Sequence, residues 1–122
     1  MIELRKATMK ELKKYHNKVY FHQAPKDITY PYVVQSFPNS FANEDQEIFN
    51  MDVDIYDNKD DTTELETIAG DIWRGFKRFH YIDENIQLSI HQMNRLPPLD
   101  EDEKHLKRRK LIFEVRYFDR RM

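Results

Sequence analysis

Residues 47–56 read Glu47-Ile48-Phe49-Asn50-Met51-Asp52-Val53-Asp54-Ile55-Tyr56. Phe49, Met51, Val53 and Ile55 alternate with Asn50, Asp52 and Asp54. A period of two belongs to a strand whose successive side chains point to opposite faces. One face meets a core and the other meets water. Asp57-Asn58-Lys59-Asp60 follows and is turn chemistry, because Asn and Asp bond their own backbone and tolerate tight turns.

Toward the N-terminus, Val19-Tyr20-Phe21-His22 reads as a short strand and Ala24-Pro25-Lys26-Asp27 as a break. Pro31 opens a second strand over residues 32–37, where β-branched and aromatic residues dominate. Pro38-Asn39-Ser40 predicts its end, with a polar loop running to about Gln46. Ahead of these, Leu4, Met9, Leu12 and Tyr15 mark a helical stripe over residues 3–15, with lysines between.

Toward the C-terminus, a helix is predicted from near Asp61. Asp61 and Glu64 have capping-box spacing, with Asp in place of Ser or Thr. Leu65, Ile68, Ala69, Ile72, Phe76 and Phe79 form one apolar stripe, ending near residues 80–83. The chain's two glycines, Gly70 and Gly75, both fall inside this helix. A helical glycine costs about 1 kcal/mol relative to alanine. A close backbone approach explains that choice, and surface tolerance is the plain alternative. A final hairpin follows: Ile86, Leu88 and Ile90 alternate in one strand, Leu111, Phe113, Val115 and Tyr117 in the other. An acidic, Pro-bearing loop, residues 96–103, lies between them.

The order α-β-β-β-α-β-β has hairpin neighbours and no βαβα alternation. It predicts an α+β fold, a mostly antiparallel sheet of about five strands packed with two helices. With 122 residues and no internal repeat or linker, a single domain (1–122) is expected.

Hydrophobic residues make up 39% and charged residues 34%, a polar but patterned and therefore globular balance. Twenty basic residues nearly cancel twenty-two acidic ones, for a formal charge of -2. A dedicated nucleic-acid binder is usually clearly basic. The signs are segregated: residues 52–61 are acidic and residues 104–110 are basic, which can steer assembly. There is no cysteine, which excludes disulfides, thiolate metal sites and a cysteine nucleophile. Met1-Ile2-Glu3-Leu4-Arg5-Lys6 shows no apolar signal core. No stretch approaches the roughly 18 apolar residues of a membrane span. A soluble protein with no membrane partner is expected.

Few residues group as a chemical site. Asp52, Asp54 and Glu114 are hard oxygen donors that suit Mg²⁺ in a nuclease; the plain alternative is a solvated strand face. His16, His22, His80, His91 and His105 form no HExxH pair or close metal spacing. Ser36, Ser40 and Ser89 lie in no GxSxG elbow. No glycine-rich loop is present to cradle phosphate. The basic run Lys104, Lys107, Arg108, Arg109 and Lys110 could contact phosphates through counterion release. It could equally pair with an acidic segment of this copy or the next.

Certain segments carry a family likeness: Val19-Tyr20-Phe21-His22-Gln23-Ala24-Pro25, Tyr30-Pro31-Tyr32-Val33-Val34 and Phe49-Asn50-Met51-Asp52-Val53-Asp54-Ile55-Tyr56-Asp57. Thr62-Thr63-Glu64-Leu65-Glu66, Ile86-Gln87-Leu88-Ser89-Ile90 and Arg108-Arg109-Lys110-Leu111-Ile112-Phe113-Glu114-Val115-Arg116-Tyr117 continue it. The succession resembles tail-terminator, tail-completion or head-tail joining proteins of long-tailed phages and prophages. The resemblance implies an α+β fold and a homo-oligomeric ring, commonly a hexamer, at the head-proximal end of the tail tube. It implies a virion protein made in the bacterial host cytoplasm, with no catalysis and no cofactor. The implied partners are further copies, the tail-tube protein and the head connector or stopper. DNA would pass through the ring without specific binding.

Within that frame, Asp52 and Asp54 are expected on an acidic surface such as the channel wall. Lys104, Lys107, Arg108, Arg109 and Lys110 are expected at an inter-subunit or tail-tube contact. The competing readings are a connector-side neck adaptor, a small nucleic-acid-binding protein using residues 104–110, and the Mg²⁺ nuclease.

Overall fold

The chain runs α1 (Ile2–Leu12), β1 (Val19–Phe21), β2 (Tyr32–Asn43), β3 (Gln46–Asp57), α2 (Thr63–Gly75), β4 (Phe79–Ile82), β5 (Ile86–Arg95), β6 (Leu99–Asp100) and β7 (Lys107–Asp119). The computed structural model describes residues 2–43, 46–97, 99–100 and 106–121. The strands form one sheet in the order β1-β2-β3-β7-β5-β4, with the two-residue β6 alongside β7. β1 pairs parallel with β2, and every other pairing is antiparallel. The α+β class and the α-β-β-β-α-β-β order hold, with β4 and β6 as additions.

The alternation in residues 47–56 does what its period requires. Phe49, Met51, Val53 and Ile55 are buried on one face of β3. Their neighbours there are Leu111, Phe113 and Val115 of β7 and Ile86, Leu88 and Ile90 of β5. Both helices cover this face. Leu4 and Leu12 of α1, and Leu65 and Ile72 of α2, are fully buried against it. Each such side chain contributes about 1.5–3 kcal/mol relative to exposure. Phe113 anchors the centre, 5.4 Å from the Trp73 ring and 5.3 Å from Phe76.

Three local expectations change. β2 does not stop at Pro38 but continues to Asn43, with a register shift between Ser36 and Asn39. Proline is accepted at a bulge or a sheet edge, where no ladder donor is lost. α2 ends at Gly75, and β4 occupies residues expected to finish the helix. Arg78, at φ 57°, makes the turn between them. Phe76 and Phe79 suit a helical stripe, yet Phe76 caps the helix and Phe79 enters the strand. Finally, the capping box does not form. Asp61 Oδ1 accepts the Thr63 amide at 2.9 Å, while Glu64 turns to Lys59 at 2.6 Å.

Candidate functional site

The opposite face of the sheet carries no helix among the described residues. Strand alternation places Tyr32, Val34 and Ser36 of β2 here, with Asn50, Asp52, Asp54 and Tyr56 of β3. β7 adds Arg108, Lys110, Ile112, Glu114 and Arg116.

Cross-strand register brings the two sequence-predicted charge groups together. One row reads Tyr20, Val34, Asp54, Lys110 across four strands. Lys110 Nζ lies 3.3 Å from Asp52 Oδ2 and 3.8 Å from Asp54 Oδ1, and Arg108 Nε lies 4.0 Å from Asp54 Oδ1. Asp54 is only 7% exposed, although no helix among the described residues covers it. A carboxylate this buried stays charged only beside compensating cations. Glu114 accepts a hydrogen bond from Arg116 Nε at 2.8 Å. On β3 and β7, then, this face sets Asp52, Asp54 and Glu114 against Arg108, Lys110 and Arg116. On these two strands it is charge-balanced.

The basic run is likewise not a hairpin loop from Lys107 onward. It is the first part of β7, and alternation splits it between two faces. Arg109 points to the helix side, 3.7 Å from Glu66 of α2. Lys107 stands opposite Asp57 of β3 and Asp100 of β6. Lys104 lies outside the described residues.

Beside the ion cluster sits a group of tyrosines. Tyr32 and Tyr56 stack with ring centroids 5.0 Å apart, Tyr30 lies 5.3 Å from Tyr32, and Tyr20 lies 6.3 Å from it. The Tyr30–Pro31 peptide bond is cis. The Tyr30-Pro31-Tyr32-Val33-Val34 segment thus supplies one end of this face. That the rings meet depends on the β2–β3 register, which no local pattern states.

Among the described residues, no group of three or more His, Asp or Glu could hold a metal ion. Glu114 stands opposite Asn50, away from Asp54, and is engaged by Arg116. Ser89 Oγ and His91 Nε2 lie 3.1 Å apart, a pair that sequence reading missed. Glu114, opposite His91 in the ladder, accepts from Arg116 through Oε1. His16 instead bonds the Pro31 carbonyl at 2.9 Å, a structural role.

The molecule is therefore an α+β domain with one helix-covered and one helix-free sheet face. No family model matches the chain. No curated protein matches it. Among solved structures, its fold is similar to that of a chain in the virion of a native gene transfer agent particle. The TM-score is 0.67 at 12% identity, over 88% of this chain and 84% of that one. At that identity the likeness is one of fold.

Proposed function

We propose that this protein is a non-enzymatic structural component of a phage-like virion, and within that class a tail terminator. In this reading copies form a ring, a hexamer in the commonest arrangement, at the head-proximal end of the tail tube. The ring stops tube growth and offers a joining surface to the head connector or stopper. The protein works in the virion neck after synthesis in the bacterial host cytoplasm, and it uses no cofactor.

One observation carries the proposal. The fold matches a gene transfer agent virion chain over most of both lengths, so the shared unit is nearly the whole of each. The segment likeness to tail terminators adds the finer position. The balanced helix-free face is compatible with DNA passage, because it gives phosphates neither a cationic groove nor strong repulsion. Against the nucleic-acid reading, Arg109 and Lys110 are drawn to Glu66, Asp52 and Asp54 rather than presented bare. No helix among the described residues is long and apolar enough to cross a membrane.

The test is assembly. Purified protein is added to tail tubes that lack their terminator, and tube length and end structure are read by electron microscopy. Capped tubes of uniform length, competent to join heads, are expected. Tubes that keep growing, with the protein left in solution, overturn the terminator reading. Binding to the head connector alone would instead identify the connector-side adaptor.

A further inference from the structure

The sheet's charges are distributed in an unusual way. β3 and β7, at its centre, carry four and seven charged residues. β1, β2 and β4, which form its two margins, carry no Asp, Glu, Lys or Arg. Soluble proteins usually do the reverse, because a charge on an edge strand keeps another strand from adding to it. Here Asp54 and Lys110 face each other across the central ladder, with Asp52 within reach of the same ammonium, and the margins are left neutral.

The margins are also open. β1 covers β2 only at Val33, Val34 and Gln35. Beyond them, residues 36–43 of β2 have no partner strand on their outer side among the described residues. Pro38 interrupts this edge at the bulge, ahead of residues 39–43 and not within them. At the far margin, β4 pairs with β5 alone among the described residues. Each open edge displays one large apolar side chain to solvent. Phe41 on β2 is 58% exposed and Ile82 on β4 is 59% exposed. Phe41 stands opposite Ile48 and Ile82 opposite Gln87, and both register positions fall on the helix-free face.

We infer that residues 39–43 of β2 in one protomer pair with β4 of a second copy, extending the sheet from subunit to subunit. The occupant is another copy because both halves of the contact are on this chain. They lie at opposite margins of one sheet, are equally free of charge, and carry their exposed apolar residues on the same face. In a continuous sheet Phe41 and Ile82 then come side by side, which a contact between two β2 edges would not achieve. A contact between unlike edges is heterologous, and it closes into a ring when its rotation closes. The inference rests on the ring-forming reading above and supplies its interface.

The absence of cysteine from the sequence makes the test clean. Cysteines are placed in pairs, one at Asn39 or Phe41 and one at His80 or Ile82, all on the helix-free face. Ser40→Cys with Ile82→Cys puts the thiols on opposite faces and is the control. Under mild oxidation, at least one same-face pair is expected to give a ladder of cross-linked multimers, with none from single variants or the control. Phe41→Lys and Ile82→Lys should each raise the concentration of half-assembly at least about tenfold, with unchanged melting temperature. An oligomer that forms without cross-linking, and survives both lysines, overturns this interface and leaves the ring reading standing. Cross-links to the tail-tube protein alone overturn the second copy as occupant. A monomer at every concentration, not cross-linked on tail tubes either, overturns the interface, while tube capping still decides the terminator reading.

Discussion

Gly75 ends α2 directly against the ring of Tyr15, so that a Cβ at residue 75 would fall 2.1 Å from the Tyr15 phenolic oxygen and 2.2 Å from ring carbon Cζ. Nothing larger than hydrogen fits there without moving the tyrosine. Tyr15 is itself held, donating to Glu11 Oε2 at 2.9 Å. Gly75→Ala, which in a free helix would help, is expected to cost about 1–3 kcal/mol through overpacking. In a Tyr15→Ala background the same change should cost little, since the obstacle is gone. Urea unfolding of the four variants reads the coupling. Additive costs would show that Tyr15 is not the obstacle.

A second strained economy lies under α1. Gln35, fully buried on β2, donates from Nε2 to Thr8 Oγ1 at 2.5 Å, and Thr8 donates on to the Leu4 carbonyl at 2.9 Å. Gln35 Oε1 has no hydrogen-bond partner among the described residues. Removing one member strands the other, whereas replacing both with apolar shapes removes the whole desolvation penalty. Thr8→Val alone should therefore destabilise by about 1–3 kcal/mol. Adding Gln35→Met should recover most of that loss. A double variant no more stable than Thr8→Val would mean that the polar chain contributes more than it costs.

What could be read in advance follows the same physics. β3, β5 and β7 each bury one face, so alternation marks them in one dimension. β4 is four residues long, and its Phe79 continues the spacing of the α2 stripe, so a helical reading absorbs it. The second half of β2 was hidden by Pro38, because a sequence does not tell whether a proline sits at an edge bulge or at a strand end. The close approach expected at the helical glycines is real at Gly75. At Gly70 the atoms nearest to a Cβ belong to the Arg74 guanidinium, the first at 3.2 Å. Asp52, Asp54 and residues 107–110 stand out in the sequence as charged groups, but as separate ones. Their meeting depends on the β3–β7 register, a long-range pairing that no local pattern states.

The turn after β4 should make stability depend on pH. Asp83 accepts hydrogen bonds from Tyr81 Oη at 2.7 Å and from the amides of Asn85 and Ile86 at 2.7 and 2.9 Å. The Tyr81 bond first, then the two amides, hold its carboxyl below the ordinary aspartate value. Asp119 is held down to about 2, chiefly by hydrogen bonds from Arg121. Both folded-state values are depressed. Their stabilisation is thus complete above the unfolded aspartate value of about 4 and is lost as pH falls through the folded values. Melting temperatures of Asp83→Asn and Asp119→Asn should lie below the parent's near about pH 6 and converge with it toward about pH 2. The gap should be small, because both groups are only partly buried and water screens them. A gap that widens on acidification would reverse the assigned sign.

Lys110 and Asp54 set the last expectation. Asp54 is 7% exposed, and the Lys110 ammonium reaches its carboxylate at 3.8 Å while also touching Asp52 at 3.3 Å. Truncating one partner of a buried pair is costly because the other keeps its charge without compensation. Arg108 remains near Asp54, and Lys110 keeps 23% of its side-chain surface in water, so the cost is discounted from the fully buried case. Lys110→Met should destabilise by about 1–3 kcal/mol. Asp54→Asn added to it should restore a substantial part, because the uncompensated charge is then gone. If the cluster is structural in this way, Lys110→Met weakens folding yet leaves assembly of the folded fraction unchanged at equal concentration. Were assembly lost while the melting temperature held, Lys110 would belong to an intermolecular contact, and its intramolecular pairs would be incidental.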